Sequence, residues 1–314
     1  MYSPTTRRLD LLIYLSCGLA CGDSKSTGNY TISSAGDGIG WFSVALVPGD
    51  GVDGLDPGKN TGTTDGWQVQ FNKLIVVIGD IGAVPTTGDV SVDFADGDKY
   101  IVNLSNILGG RVSLDSQPAS PGVYDSLDFA SRRATSIWQK TPSVSEADAD
   151  LMVKGGYSIY IDGTISDPAG RSCSVEDPTV CEPSPVISFQ WGLTAETSYS
   201  GCPGFTLEPD DNVVAALTIP GDLWFLTGFA TVGTPLRRRA QWVADADLNR
   251  DGVTTLDELA AIKASLLFRP ELGYDLSGSP IRIESAYDFL EAQVRTLGLV
   301  GPSACRVGKS LDIP

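Results

Sequence analysis

Between Asp247 and Glu258 the chain sets oxygen-bearing side chains at alternate positions: Asp247, Asn249, Asp251 and Thr255, with Glu258 closing the run. This is the chemistry of a hard cation, which takes oxygen ligands in a flexible cage. Gly252 permits the sharp turn that carries the chain around the ion. Val253 offers its backbone carbonyl, Thr255 binds directly or through a water, and Glu258 supplies both carboxylate oxygens. The spacing predicts a single Ca2+ site made by Asp247, Asn249, Asp251, Val253, Thr255 and Glu258. The plain alternative is a solvated acidic turn that holds no ion.

The flanks set the expected context. Thr234-Pro235 reads as a helix start, a cap residue followed by proline at the first helical position. Leu236, Ala240 and Val243 then share one face, and Leu256, Leu259, Ile262 and Leu266 recur at helical steps beyond the loop. Residues 247–258 resemble the loop of the EF-hand family, with every ligand position filled acceptably. The resemblance implies a helix–loop–helix unit with calcium as its cofactor. Thr254 stands where that family usually has a branched apolar residue that pairs with a partner loop. Residues 274–298 read as a degenerate partner, because counting from Asp275 puts Pro280 at the glycine position and Ala286 at the closing position. This half is expected to pair with the first and bind no ion. No second copy of the loop occurs, which argues against a dockerin.

Composition narrows the function classes. The 314 residues carry a formal charge of −17 and contain no histidine and two methionines. An excess of negative charge repels phosphates, so the chain is not expected to bind nucleic acid. Without histidine there is no Ser-His-Asp triad, no imidazole zinc site and no blue-copper site. An enzyme would have to work with paired carboxylates. A hydrophobic share of 42% supplies ample core.

Arg7 and Arg8 precede a short apolar run, Leu11 to Ala20, too short to span a bilayer and shaped like a signal peptide. Gly18-Leu19-Ala20-Cys21 and the polar stretch behind it read as a bacterial lipoprotein signal with Cys21 as the lipidated residue. Cys17 is the runner-up, and an ordinary secretory cleavage is the bland alternative. Cys173, Cys181, Cys202 and Cys305 remain, an even number in an exported chain, and predict two disulfides. Cys173 and Cys181 form the nearest local pair, which leaves Cys202 for Cys305. Three connectivities satisfy the count.

From Trp41 the hydrophobic pattern has period two. Trp67, Val69 and Phe71 alternate with polar residues, and Leu74 to Ile78 reads as a strand buried on both faces. Val90–Phe94 and Tyr100–Leu104 flank the turn Asp96-Gly97-Asp98. Tyr157–Ile161, Val186–Trp191 and Val213–Ile219 continue a set of about eight strands, with Val123–Phe129 near a sheet edge. Val144–Lys154 reads as a short helix capped by Ser145 and stopped by Gly155-Gly156. Ile281–Ile283 reads as a short strand, and Ser285 as the cap of a helix bearing Tyr287, Leu290, Val294 and Leu297 on one face. The fold class is mostly β with a C-terminal α part: an antiparallel β-sandwich followed by an EF-hand helix–loop–helix pair. The expected divisions are a signal peptide (1–20), a lipid-anchored tether (21–39), the sandwich (40–232), the EF-hand pair (233–300) and a tail (301–314). Pro121-Gly-Val-Tyr124 and the stretch from Tyr157 through Trp191 to Cys202 look like a group of bacterial exported β-sandwich lipoproteins followed by an EF-hand. Some proteins similar to these carry histidines near the segment that reads Ile219–Phe225 here, where this chain has none.

The expected function is an exported calcium-binding lipoprotein of the cell envelope, at the outer membrane, with one structural Ca2+ and a membrane contact through its lipid. Two alternatives stand beside it. One is a surface module for a glycan or protein partner, for which Trp67, Trp138, Trp191 and Trp224 would form a platform; on alternating strands such residues are more often core. The other is a carboxylate-dependent hydrolase, for which Asp96/Asp98 and Asp148/Asp150 are the acids to weigh. These acids read more simply as turn residues and as a helix start. Asn29-Tyr-Thr31 and Asn103-Leu-Ser105 match a glycosylation pattern that arises often by chance.

Overall fold

The computed structural model describes residues 39–57, 59, 62–86, 92–93, 99–107, 110–135, 139–229, 236–296, 298–300 and 303–310. The first half of the chain is almost all strand: β1 (Gly40–Pro48), β2 (Gln68–Pro85), β3 (Val92–Asp93), β4 (Lys99–Asn103), β5 (Val112–Ala119), β6 (Gly122–Ser131) and β7 (Gln139–Lys140). Helix α1 (Glu146–Gly155) separates these from β8 (Ile159–Ser166), β9 (Arg171–Cys173), β10 (Cys181–Pro183), β11 (Val186–Leu193), β12 (Thr197–Leu207) and β13 (Asn212–Ile219). Short helices then dominate: α2 (Gln241–Asp245), the two-residue β14 (Val253–Thr254), α3 (Leu256–Ala261), α4 (Ala264–Leu267) and α5 (Ala286–Val294). The chain returns to strand in β15 (Leu299–Val300), β16 (Ser303–Ala304) and β17 (Arg306–Ser310).

One sheet runs β16-β15-β13-β1-β5; the larger runs β14-β11-β8-β2-β6-β12-β17, with β3 and β4 paired to β2 and β7 paired to β4. Their apolar faces meet. Phe42 of β1 stacks on Phe205 of β12, which stacks in turn on Tyr124 of β6. The fold is β-rich, as the alternating pattern predicts, but not wholly antiparallel. β1 and β13 run parallel through eight register pairs, from Trp41↔Asn212 to Pro48↔Ile219.

The apolar run Leu74–Ile78 has a direct structural cause. Leu74, Val76 and Ile78 face the core between the sheets, while Ile75 and Val77 face outward beneath α1 and join Val144 and Met152. A strand covered on both sides has no polar position to spare. Helix α1 forms where its signals place it: Ser145 accepts from the Asp148 N–H, and Gly156 ends the helix at φ 59°, where a residue without Cβ pays no steric cost.

The disulfides are Cys173–Cys181, which closes the β9–β10 hairpin, and Cys202–Cys305, which ties β12 to the segment between β16 and β17. The described residues from both the strand-rich and helical regions belong to one compact unit. Among them no helix is long and apolar enough to cross a membrane.

The helical region departs from the sequence pattern in three places. First, Leu236–Arg239 is extended rather than helical, and α2 starts only after Ala240. Arg238 pairs with Leu226, the Thr227 N–H donates to the Arg237 carbonyl and the Arg239 N–H to that of Phe225. Thr234 and Pro235 lie outside the described residues. Second, the exit helix breaks at Ile262 and Lys263, whose ψ angles of 127° and 128° are those of a strand. Here Lys263 bridges Ser285, the Ala264 N–H donates to Glu284 and the Ala286 N–H to Ile262. The backbone groups released by the helix are satisfied by this bridge. Third, Ile281–Ile283 forms no strand; the bridge sits at Ser285, which also caps α5 in a reciprocal capping box with Asp288. Leu297 lies outside the described residues.

Candidate metal centre

Helix α2, which leads into the acidic loop, starts without a local cap: Ala240 offers no side-chain acceptor. Asp65 does the work from the far side of the chain, its Oδ2 accepting from the Ala240 and Gln241 N–H groups at 2.9 Å each. The helix is then pinned by stacking. Trp242 lies on Trp191 of β11 with ring centroids 5.4 Å apart, and meets Phe268 and Phe289 edge-on. At its C-terminal end Asp245 accepts from the Cys173 N–H at 2.8 Å and from Gln241, so the disulfide hairpin is fastened to the same helix. Burial pushes the Asp245 carboxyl up to about 6 despite those two hydrogen bonds.

The loop itself is organised by its own side chains. Asp247, 4% exposed, accepts from the Asp251 N–H at 3.1 Å and the Gly252 N–H at 2.9 Å. Asn249 Oδ1 also accepts from the Asp251 N–H, and Asp251 Oδ1 accepts from the Val253 N–H at 2.9 Å. Glu258 spans the loop. Its Oε1 accepts from the Leu248 N–H at 2.9 Å, and its Oε2 from the Thr255 N–H and hydroxyl at 2.8 Å. Thr255 and Glu258 thereby form a capping box at the start of α3. The chain doubles back through Arg250 at φ 58° and Gly252 at φ 83°, both left-handed.

Charge in the loop is one-sided. Among the described residues no lysine or arginine pairs with Asp247, Asp251 or Glu258, and Arg250 turns outward to Glu182 on β10. Burial raises the pKa of Asp247, and the charges of Glu258 and Asp251 raise it further, against the hydrogen bonds from Gly252 and Asp251. Yet among the described residues no group of three or more His, Cys, Asp or Glu side chains is arranged to hold a metal ion. The carboxylates engage the loop's own N–H groups instead. The donor set has the chemistry a hard cation takes: every side-chain donor named for the loop is an oxygen, and a buried carboxylate stands among like charges without a countercharge.

The loop leaves through β14, which joins the larger sheet. Val253 and Thr254 pair in parallel with Ser188 and Phe189 of β11, and the Ser188 N–H donates to the Gly252 carbonyl at 2.9 Å. The Trp191 indole N–H donates to the Thr254 carbonyl at 3.1 Å, and the Thr254 hydroxyl donates to that of Val243 at 2.6 Å. Thr254 therefore pairs with β11 of the larger sheet and not with a partner loop. In the would-be second loop Asp275 accepts from the N–H and hydroxyl of Ser277, and its backbone bridges Gly228.

The remaining candidate residues are dispersed. Asp148 is buried and paired with Lys73 at 2.6 Å, whereas Asp150 is exposed. Trp67, Trp191, Trp224 and Trp242 are core, and no aromatic residue is among the exposed large hydrophobics of the described chain. Asn103 is buried and accepts from Ser105. Cys21, Asn29, Asp96, Asp98 and Trp138 lie outside the described residues. Sequence reasoning missed Asp65 and Asp245, whose roles depend on partners distant in sequence. No protein-family model, no curated protein and no solved structure matches this chain.

Proposed function

We propose that residues 247–258 bind one Ca2+ in an EF-hand-like helix–loop–helix made by α2 and α3, and that the ion is structural. Asp247, Asn249, Asp251 and Glu258 would hold it by their side chains, Val253 by its carbonyl and Thr255 directly or through water. When bound, the ion supplies the positive charge that the buried Asp247 and its acidic neighbours lack. The observation that carries this reading is the continuity of the loop with the sandwich. Val253 and Thr254 within the loop form β14 of the larger sheet, so ordering the loop orders an edge of the sheet. The proposed setting is the cell envelope, with Cys21 as the lipid anchor. The two disulfides support an oxidising compartment. Extracellular calcium sites commonly have dissociation constants on the order of 10⁻⁴–10⁻³ M, so a modest site stays filled outside a cell.

Thermal melting of the wild type and of Glu258→Gln, each with and without calcium, tests this. A ligand at 100 times its dissociation constant stabilises by about 2.7 kcal/mol, which is roughly 5–10 °C in a domain of this size. The wild type should show such a rise and the variant should lose it. An equal response in the two proteins would sink the proposal.

A further inference from the structure

The extended segment Leu236–Arg239 and the 3₁₀ turn Pro270–Leu272 face each other across a cavity of ≈ 510 Å³. That volume lies within the range of about 300–1,000 Å³ typical of small-molecule sites. Its lining includes Thr227, Arg237, Arg239, Leu236, Leu272 and Glu271. The two arginines reach it for a backbone reason. In an extended chain successive side chains point to opposite sides. Arg238 turns inward to the buried Asp222, and its neighbours Arg237 and Arg239 both line the cavity.

The two guanidiniums differ in what already holds them. Arg239 is positioned by Asp65, 3.8 Å from its Nε, and by a hydrogen bond with Tyr274. Arg237 is exposed and, among the described residues, no carboxylate pairs with it. A fixed and an uncommitted guanidinium in one concavity are suited to a carboxylate, which arginine binds through two parallel N–H donors. Leu236, Leu272 and Pro270 add an apolar wall. Glu271 and the overall charge of −17 disfavour a multiply charged anion.

We propose that this cavity is a binding site for a small monocarboxylate with an apolar body, its carboxylate held by Arg237 and Arg239. The test is calorimetric titration of the full chain with 4-methylpentanoate, with its amide, and with inorganic phosphate, repeated on Arg237→Gln. Arg237 is exposed, so the variant should melt with the wild type and report binding alone. The carboxylate should bind saturably and weaken about 10- to 100-fold in the variant, as expected for a lost charge-assisted pair. The amide and phosphate should not compete. Absence of saturable carboxylate binding, an unchanged affinity in the variant, or an amide or phosphate that binds as tightly would each overturn the proposal.

Discussion

The indole N–H of Trp191, buried in the core, donates to the carbonyl of Thr254 in the acidic loop at 3.1 Å. Beside the β11–β14 pairing, this hydrogen bond joins a core side chain of β11 to the residue between two proposed calcium ligands, Val253 and Thr255. Trp191 also stacks on Trp242 of α2, so the helix that enters the loop and the strand within it share one side chain. Trp191→Phe keeps much of the ring and removes the donor. The Thr254 carbonyl keeps its ladder pairing with β11, so losing this second donor should cost about 0.5–1.5 kcal/mol. Urea denaturation with and without calcium measures this, and the loss in calcium affinity should accompany it.

Gly252 separates backbone strain from ligand chemistry. A methyl group added at Gly252 meets nothing within 4 Å, yet the residue sits at φ +83°. Gly252→Ala should therefore destabilise by roughly 1–2 kcal/mol through the backbone alone. Gly252→Asn should cost less, because asparagine tolerates the left-handed region. Chemical denaturation of the two variants in chelator gives the comparison.

Asp65 imposes a pH dependence. Burial raises its pKa above the ordinary 3.8, against hydrogen bonds from Gln241 and Ala240 and the charge of Arg239. The folded chain therefore keeps this proton at pH values where the unfolded chain has released it. Its contribution favours folding most below 3.8 and falls as pH rises from there through the folded pKa. Asp222 is shifted the same way by burial, with Arg238 opposing. Asp65→Asn removes the titration while keeping an acceptor for the N-terminus of α2. Stability followed by urea titration from acid to neutral pH should decline less steeply in the variant than in the wild type.

The two disulfides should differ in weight. Cys202 and Cys305 are 103 residues apart and Cys173 and Cys181 only 8. Chain-entropy arguments give about 4.7 kcal/mol for a loop of 100 residues and roughly 2.5 kcal/mol for one of eight. Cys202→Ala/Cys305→Ala should lower the melting temperature more than Cys173→Ala/Cys181→Ala. Equal losses would show that the C-terminal strand is held by pairing with β12 without help from its disulfide.

Features decided by neighbours in sequence were legible. The period-two strands, the doubly buried run Leu74–Ile78, Ser145 and Gly156 at the ends of α1, and Ser285 at the start of α5 depend on local chemistry. Features decided by distant partners were not. The start of α2 is shifted because its cap is Asp65, 175 residues before Ala240. The helical pattern through Ile262 and Leu266 survives as burial, although the helix breaks where Lys263 takes Ser285 as partner. Both arrangements keep those apolar residues inside, so periodicity does not distinguish them. Thr254 carried the right signal in an unexpected sense. A polar residue at that position suits a hydroxyl bonded to Val243 and a backbone paired with β11.

Calcium titration of the full, chelator-stripped chain by calorimetry, beside Glu258→Gln, addresses the central claim most directly. The account predicts one ion per chain in the wild type and none in the variant, with a change in tryptophan fluorescence as the Trp191–Thr254 contact tightens. No heat in the wild type, or the same stoichiometry and affinity in the variant, would contradict it and leave residues 247–258 as a turn held by its own hydrogen bonds.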